Sequence, residues 1–286
     1  MAKKLLEGIV LVNKEDIKKQ YHNPSNPYNL EVTLDILESA RLLPFTYSNP
    51  KFNNINIIAS ANYWSGSVMK RIPRQLSVTF NGIDNNIPII AEKNLSYVFN
   101  EPDKEIISIR GKKGGIVIGR GSSAIGRFFD ELGIQPTDEG NKKVGERKGS
   151  TRASLNIPLP KYIKQLFSLR NEIKEEDERK IVHSTLKDFA GIYFLAKYAQ
   201  KHLYQKFLIF RSGTDVEIAK NNAAEVIDII NYVLPELKLQ KERLYSHSVK
   251  SEKYNDCNII SLRLQKEQIP VLEDFLKVFK EDKSLT

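Results

Sequence analysis

The chain has 286 residues, of which 41% are hydrophobic, so it can bury the core of one large domain or of two small ones. It contains no apolar run of about 18 or more residues, which argues against a membrane span, and its first residues lack the cleavage site of a signal peptide. A single cysteine, Cys257, excludes an internal disulfide and a cysteine-based zinc site, and favours an intracellular, cytoplasmic protein.

Positive charge is concentrated in one part of the chain. The formal net charge is +9, and a net +7 of it lies between Lys104 and Lys164. Clustered Lys and Arg are typical of proteins that bind polyanions, because neutralising phosphates releases condensed counterions. The composition therefore favours a nucleic-acid partner, with a merely soluble Lys-rich chain as the alternative.

The first part of the chain alternates predicted helices and strands. A strand is predicted over 8–12. The apolar pattern over 30–45 predicts a helix that Pro44 ends. Residues 54–64 and 74–80 are predicted as strands, and a helix is predicted to begin near Pro88 and to continue to residue 100.

A hairpin and a capped helix follow. Strands over 105–113 and 115–119 are joined at Gly114–Gly115, which is a hairpin signal. Residues 122–134 are predicted as a helix that Ser122 or Ser123 caps at its N-terminus and Gly133 at its C-terminus.

The middle of the chain separates two similar orders of elements. Residues 135–156 are polar and basic without periodicity, which predicts a loop, and residues 159–180 are predicted as one helix with a solvated, charged end. A helix over 185–200, a strand over 206–213 and a helix over 220–234 then follow.

The chain closes with a strand pair over 243–254 and 258–264 and a helix over 268–279. An order of helix, one or two strands, helix, strand, strand and helix thus occurs twice, over about 30–135 and 185–280. Two similar subdomains about a pseudo-twofold axis are the prediction, in an α+β fold with antiparallel strands.

Three segments stand out: 189–197, FAGIYFLAK; 115–134, GIVIGRGSSAIGRFFDELGI; and 159–163, LPKYI. They resemble the LAGLIDADG homing endonuclease family, and the first is similar to the helix that names it. Residues 115–134 are similar to the strand, serine-capped helix and "LGI" segment that closes each half, and 159–163, LPKYI, are similar to a segment before the second family helix. The resemblance implies two αββαββα repeats whose sheets form a saddle over a DNA duplex.

Paired helices at the pseudo-twofold axis need small side chains where they touch. Ala190 and Gly191 fit that requirement, and Ser39 and Ala40 are the predicted partners in the first repeat. An ordinary buried helix with one small patch is the alternative interpretation.

The resemblance also implies an acid at the end of each paired helix, where it would bind a divalent cation near the scissile phosphates. The matched position is Ala196 in the second repeat and Phe45 in the first. Neither side chain can bind a metal, so neither catalytic residues nor a metal site are predicted.

Strands and turns of the family contact DNA with long basic side chains. Arg can read guanine edges with two hydrogen bonds, whereas Lys on a turn more often meets phosphate. The corresponding candidates for nucleic-acid binding are Lys70, Arg71, Arg74, Arg110, Lys112, Lys113, Arg120, Arg211, Arg243, Lys250, Lys253 and Arg263.

The remaining motifs give only weak evidence for a cofactor or a metal site. Residues 119–126, GRGSSAIG, imitate a dinucleotide loop but lack the third glycine and the βαβ context, so no cofactor is predicted. The histidines have no metal-ligand spacing, and Tyr63 and Trp64 are expected to pack in the core.

The predicted organisation is an N-terminal extension (1–30), a first repeat (31–135), a basic linker with a charged helix (136–184) and a second repeat (185–286). The predicted function is binding of double-stranded DNA by a catalytically inactive, LAGLIDADG-like monomer that needs no cofactor and no membrane. The alternatives are an active endonuclease with displaced metal ligands, an RNA-binding splicing maturase, and an enzyme that binds a small molecule at residues 119–126.

Overall fold

A computed structural model describes residues 4–19, 27–65, 76–79, 86–99, 107–110, 115–118, 128–129, 131–133, 158–198, 207–210, 215–249 and 257–284. Within these ranges the fold is a mixture of helices and small antiparallel sheets. The α+β class predicted from the sequence is therefore confirmed.

The first half of the chain contains short strands between longer helices. Its elements are β1 (Val10–Val12), α1 (Lys14–Lys19), α2 (Pro27–Ser39), β2 (Phe45–Thr46), α3 (Phe52–Ser65), β3 (Leu76–Thr79), α4 (Asn86–Phe99), β4 (Ile107–Arg110) and β5 (Gly115–Ile118).

The second half has the longest helices. Its elements are α5 (Lys161–Leu169), α6 (Glu176–Lys197), β6 (Phe207–Ile209), α7 (Val216–Val233), β7 (Leu244–Val249), β8 (Cys257–Arg263) and α8 (Gln268–Asp282). Acidic residues in the first turn of α6 complement the positive end of its dipole, and Asp215 caps α7 by accepting a hydrogen bond from the Ile218 amide at 3.0 Å.

Each three-stranded sheet places its last strand in the centre. The strand orders are β3–β5–β4 and β6–β8–β7, with antiparallel pairing throughout. β1 and β2 form a separate antiparallel pair. The predicted antiparallel pair is confirmed, because Arg110 of β4 lies opposite Gly115 of β5, whereas residues 111–114 between the strands lie outside the described residues.

Helix α3 corrects a prediction, since residues 54–64 were expected to be a strand. Every residue from Ile55 to Trp64 is buried, because α3 packs extensively against both α4 and α6. The polar residues of this buried stretch, Asn56, Ser60 and Asn62, therefore mark no solvent-exposed face, and their even spacing imitates the alternation of a strand. Asn49 stabilises the turn before the helix, because its Oδ1 accepts a hydrogen bond from the Lys51 amide at 2.9 Å.

Two predicted helices also differ from the structure in extent. α2 ends at Ser39, and the chain then turns through Arg41 with a positive φ of 55° before it enters β2. Residues 159–180 form two helices instead of one, and α6 continues through the position at which the second repeat was predicted to begin.

Gly133 ends a helical turn as predicted, with a φ of +81°. A Cβ atom there would lie 2.6 Å from the backbone nitrogen of Lys161, at the start of α5. Glycine is therefore needed both for the backbone conformation and for the close approach of α5.

The N-terminal segment contacts both halves of the chain. β1 pairs with β2, and the amides of Leu5, Leu6 and Glu7 donate to the buried carboxylate of Glu178 in the first turn of α6, at 2.9, 2.6 and 3.3 Å. The residues predicted as an extension are thus attached to the core.

Candidate nucleic-acid interface

Helices α3 and α6 form the central pair of the molecule. The Asn56 Nδ2 donates to the carbonyl of Thr185 at 3.2 Å, and the Trp64 Nε1 donates to the carbonyl of Phe189 at 3.2 Å. These contacts advance along both helices together, so α3 and α6 run in the same direction. Their C-terminal ends therefore lie towards the same side of the molecule.

Aromatic rings fill the contact between the two helices near their C-terminal halves. The Trp64 ring lies 5.1 Å from the Phe189 ring and 4.7 Å from the Tyr193 ring, and the Tyr63 ring lies 5.8 Å from the Phe189 ring. Tyr63 and Trp64 are buried, so their predicted role in core packing is confirmed.

The predicted pairing of Ser39 and Ala40 with Ala190 and Gly191 is not the one that the structure has. Ser39 is exposed, Ala40 is buried, and α6 packs chiefly against α3. A Cβ atom on Gly191 would lie 2.4 Å from the Phe279 ring, so this glycine makes room for α8. The small residues of α3 at the centre of the molecule are Ala59, Ser60 and Ala61, all of them buried.

Because α6 pairs with α3, Phe45 does not occupy the position of a metal-binding acid in the first repeat. Phe45 lies buried in β2, with its ring 5.1 Å from that of Phe128, and not at the end of α3. Ala196 is buried in the last turn of α6, as its helical position requires.

Acidic residues are missing from long stretches that include the C-terminal ends of both central helices. The sequence has no Asp or Glu over 39–83 or over 189–214. Asp188 precedes the second stretch, but it is buried and paired with the Lys283 Nζ at 2.8 Å. Across the part of the chain that the structure describes, no group of three His, Cys, Asp or Glu residues could bind a metal ion.

The second sheet has one face packed on helices and one face directed outward. Leu208, Leu244 and Leu262 are opposite one another in the register, and α7 packs against β7 and β8. Tyr193 of α6 also stacks on Phe210, at the end of β6, with ring centroids 5.6 Å apart.

The outer face of this sheet carries the alternate residues of the same strands. Phe207 lies opposite Arg263, and Tyr245 lies opposite Ser261. Tyr245, His247 and Arg263 are exposed. This outer face is the candidate interface, because it presents aromatic rings and a positive charge to solvent.

Comparison with known proteins gives no relative. No protein-family profile, curated protein or solved structure matches this chain.

Three of the predicted basic residues lie on described strands or next to them. Arg263 is on the outer face of β8 and has no ion pair with another described residue. Arg243 is partly buried in a short 3-10 helix just before β7, and Arg110 is the last residue of β4. The remaining candidates lie outside the described residues: Lys70, Arg71, Arg74, Lys112, Lys113, Arg120, Arg211, Lys250 and Lys253.

The segment that imitates a dinucleotide loop, 119–126, lies outside the described residues, as do the predicted capping serines Ser122 and Ser123. His183 and His247 are both exposed, on α6 and β7. No described helix is long and apolar enough to cross a membrane.

Phe207, Tyr245 and His247 are not among the site residues predicted from the sequence. The alternation of RLYSHSV contained the signal, because residues 245 and 247 must share one face of a strand. Which face is outward depends on the helices that cover the other face, and these became apparent only in the structure.

Proposed function

We propose that this protein is a catalytically inactive, LAGLIDADG-like protein that binds double-stranded DNA. Its two halves are pseudo-symmetric repeats, and the outer faces of the two sheets together form the saddle that contacts the duplex. It acts as a monomer with internal pseudo-twofold symmetry.

The order of elements supports the two repeats. α3, β3, α4, β4 and β5 are followed by the helical residues Phe128 and Phe129, and α6, β6, α7, β7 and β8 are followed by α8. Each sheet has its last strand in the centre. Each described sheet has three strands, whereas the resemblance implies four in each repeat.

The central helices support the same proposal. A twofold axis between two parallel helices relates them to each other, and α3 and α6 run in the same direction in close contact. The Tyr193 hydroxyl near the end of α6 donates to the carbonyl of Ile209 in β6 at 3.3 Å. This contact ties the end of a central helix to the sheet that would face DNA.

One observation supports the absence of cleavage: the two stretches of sequence that contain the C-terminal ends of α3 and α6 have no acidic residue. Over 39–83 and 189–214 the chain has only basic charges. Metal-assisted hydrolysis of DNA needs carboxylates to bind the cation beside the scissile phosphate. The same stretches attract a phosphate backbone, so this charge pattern favours binding without cutting.

Binding and cleavage are tested together on duplex DNA over a salt series with Mg²⁺ present. We expect tight binding whose association constant falls steeply with salt: the plot of log K against log salt concentration should have a slope of about −0.9 for each phosphate contacted. The DNA should remain intact on a gel. Nicked or cut DNA would instead establish an endonuclease with displaced ligands. Absence of binding would refute the proposal.

A matched pair of arginine variants tests the location of the interface. Arg263→Ala removes a charge from the outer face of the second sheet and should reduce the salt slope by about 1. Arg179→Ala removes a charge from the first turns of α6, roughly 20 Å along the helix from Tyr193, and should leave the slope unchanged. Equal effects would place the DNA elsewhere.

A further inference from the structure

Three rings form a continuous row on the outer face of the second sheet, which we call the aromatic row: Phe207, Tyr245 and His247. The Phe207 and Tyr245 rings meet edge to face with centroids 5.8 Å apart, and the Tyr245 and His247 rings lie 6.4 Å apart. The row thus crosses the sheet from β6 to β7.

A small residue on the central strand allows this arrangement. Ser261 of β8 lies opposite both Ile209 and Tyr245 in the register, and only 2% of it is exposed. Because its side chain is short, rings from the two outer strands can meet above β8. Tyr245 itself remains 41% exposed, so part of its side chain is accessible to a ligand.

The charges of this face suit a polyanion. β6, β7 and β8 contain no Asp or Glu, and Arg263 lies next to Phe207 in the register. Arg263 has no ion pair with another described residue. Beside the exposed Tyr245 it offers both components of single-strand recognition, positive charge for a phosphate and stacking for its base.

We propose that the aromatic row binds unpaired bases of a DNA duplex, such as those of a bulge or of an opened segment. This inference rests on the proposed DNA-binding function and specifies its substrate. A base within an intact duplex has both faces covered by its neighbours, so it cannot stack on Tyr245. An unpaired base can be turned out of the helix and can stack on the exposed ring.

The test compares two labelled DNA duplexes of equal length, one fully paired and one with a central unpaired bulge. Wild-type protein should bind the bulged duplex about tenfold more tightly, which is the contribution of roughly one stacked base. Tyr245→Ala should remove this preference without changing the salt slope, whereas Tyr245→Phe should retain it.

Two further variants control for folding and for general surface effects. Tyr245→Leu keeps apolar bulk against Phe207 without an aromatic face, so it should lose the preference even if Tyr245→Ala unfolds the sheet. Tyr97→Ala removes a tyrosine that is 59% exposed on α4, and it should bind both duplexes like the wild type.

The outcomes separate this inference from the function on which it rests. Salt-dependent binding with no preference for the bulge would overturn the inference and leave duplex binding intact. Failure to bind either duplex would overturn both. A Tyr245-dependent preference for an RNA loop over the bulged DNA would overturn DNA as the occupant of the row.

Discussion

At the scale of single residues, Gly191 sits where no other side chain fits. A Cβ atom would lie 2.4 Å from Cε2 and 2.6 Å from Cδ2 of Phe279, whose ring is fully buried. Gly191→Ala should therefore destabilise the protein by about 1–3 kcal/mol in urea unfolding.

A double-mutant cycle identifies the contact responsible. In a Phe279→Leu background the smaller side chain leaves room for the new methyl group, so Gly191→Ala should cost less there than in the wild type. If the two effects simply add, the cost does not arise from the Phe279 ring.

The stability of the folded protein should depend on pH through the Asp188–Lys283 pair, and the sign of this dependence follows from burial. Burial is the largest influence and raises the pKa of Asp188 above 3.8, while the Lys283 ammonium opposes it. The folded state then binds the proton more tightly than the unfolded state. The resulting stabilisation is fully present below pH 3.8 and is lost as the pH rises through the folded pKa.

Asp188→Asn removes this titration, because asparagine carries no ionisable proton. The stability of the variant relative to the wild type should therefore rise as the pH increases from about 3.8 upward. Urea unfolding at several pH values between acid and neutral measures the difference. A relative stability that falls over this range would mean that the attraction of Lys283 outweighs the burial of Asp188.

At the scale of elements, the N-terminal segment depends on one carboxylate. Glu178→Gln replaces an acceptor oxygen with an NH₂ group that faces the amides of Leu5, Leu6 and Glu7, so a buried donor loses its partner. The free energy of the opening reaction that exposes the amides over 4–12 should fall by roughly 1.5–3 kcal/mol, which hydrogen-exchange rates measure.

The neighbouring Glu176 supplies the control. Its side chain is 70% exposed, and its ion pair with Lys180 is 3.6 Å long, so Glu176→Gln should leave the protection of residues 4–12 unchanged. Equal loss in both variants would point to the charge of the α6 N-terminus instead of the hydrogen bonds.

Elements with one exposed face could be predicted from the sequence, and α3 could not. α7 buries Ala219, Ala223, Val226, Ile227 and Ile230 at helical spacing, which the sequence displays directly. α3 is buried on every side, so it has no polar stripe from which a period could be read. The error in α3 then led to the wrong partner for Ala190 and Gly191.

The candidate site shows the same limit in the sheet. Shifting a strand by one residue moves every side chain to the opposite face. The sequence alone therefore does not show whether a basic residue on a predicted strand faces solvent or the core. Arg263 faces outward, whereas Arg243 precedes its strand and is partly buried. Only the helices packed on the inner face decide which residues remain open to a ligand.

At the scale of the whole molecule, the only tryptophan lies at the contact between the two halves. Trp64 is 2% exposed and joins α3 to α6 through the Phe189 carbonyl. Because this contact is shared by both halves, we expect them to unfold together. Urea curves followed by Trp64 fluorescence and by far-ultraviolet circular dichroism should coincide.

A tryptophan placed in the first half tests more directly whether the two halves unfold together. Tyr97→Trp in a Trp64→Phe background reports on α4 of the first half, where the exposed side chain tolerates substitution. The new tryptophan should give the same midpoint as circular dichroism measured on that variant. A separate earlier transition would mean that the first half unfolds by itself.

The attachment of the first residues to α6 has a consequence for synthesis on the ribosome. The amides of Leu5 and Leu6 find their acceptor in Glu178, which is 173 and 172 residues later in the chain. At about 5–20 residues per second, Leu5 and Leu6 therefore leave the ribosome on the order of ten to thirty seconds before their acceptor is synthesised. β1 can pair with β2 much earlier, because β2 is synthesised soon after it. The first residues can therefore pack on the first half of the chain before they form their hydrogen bonds to α6.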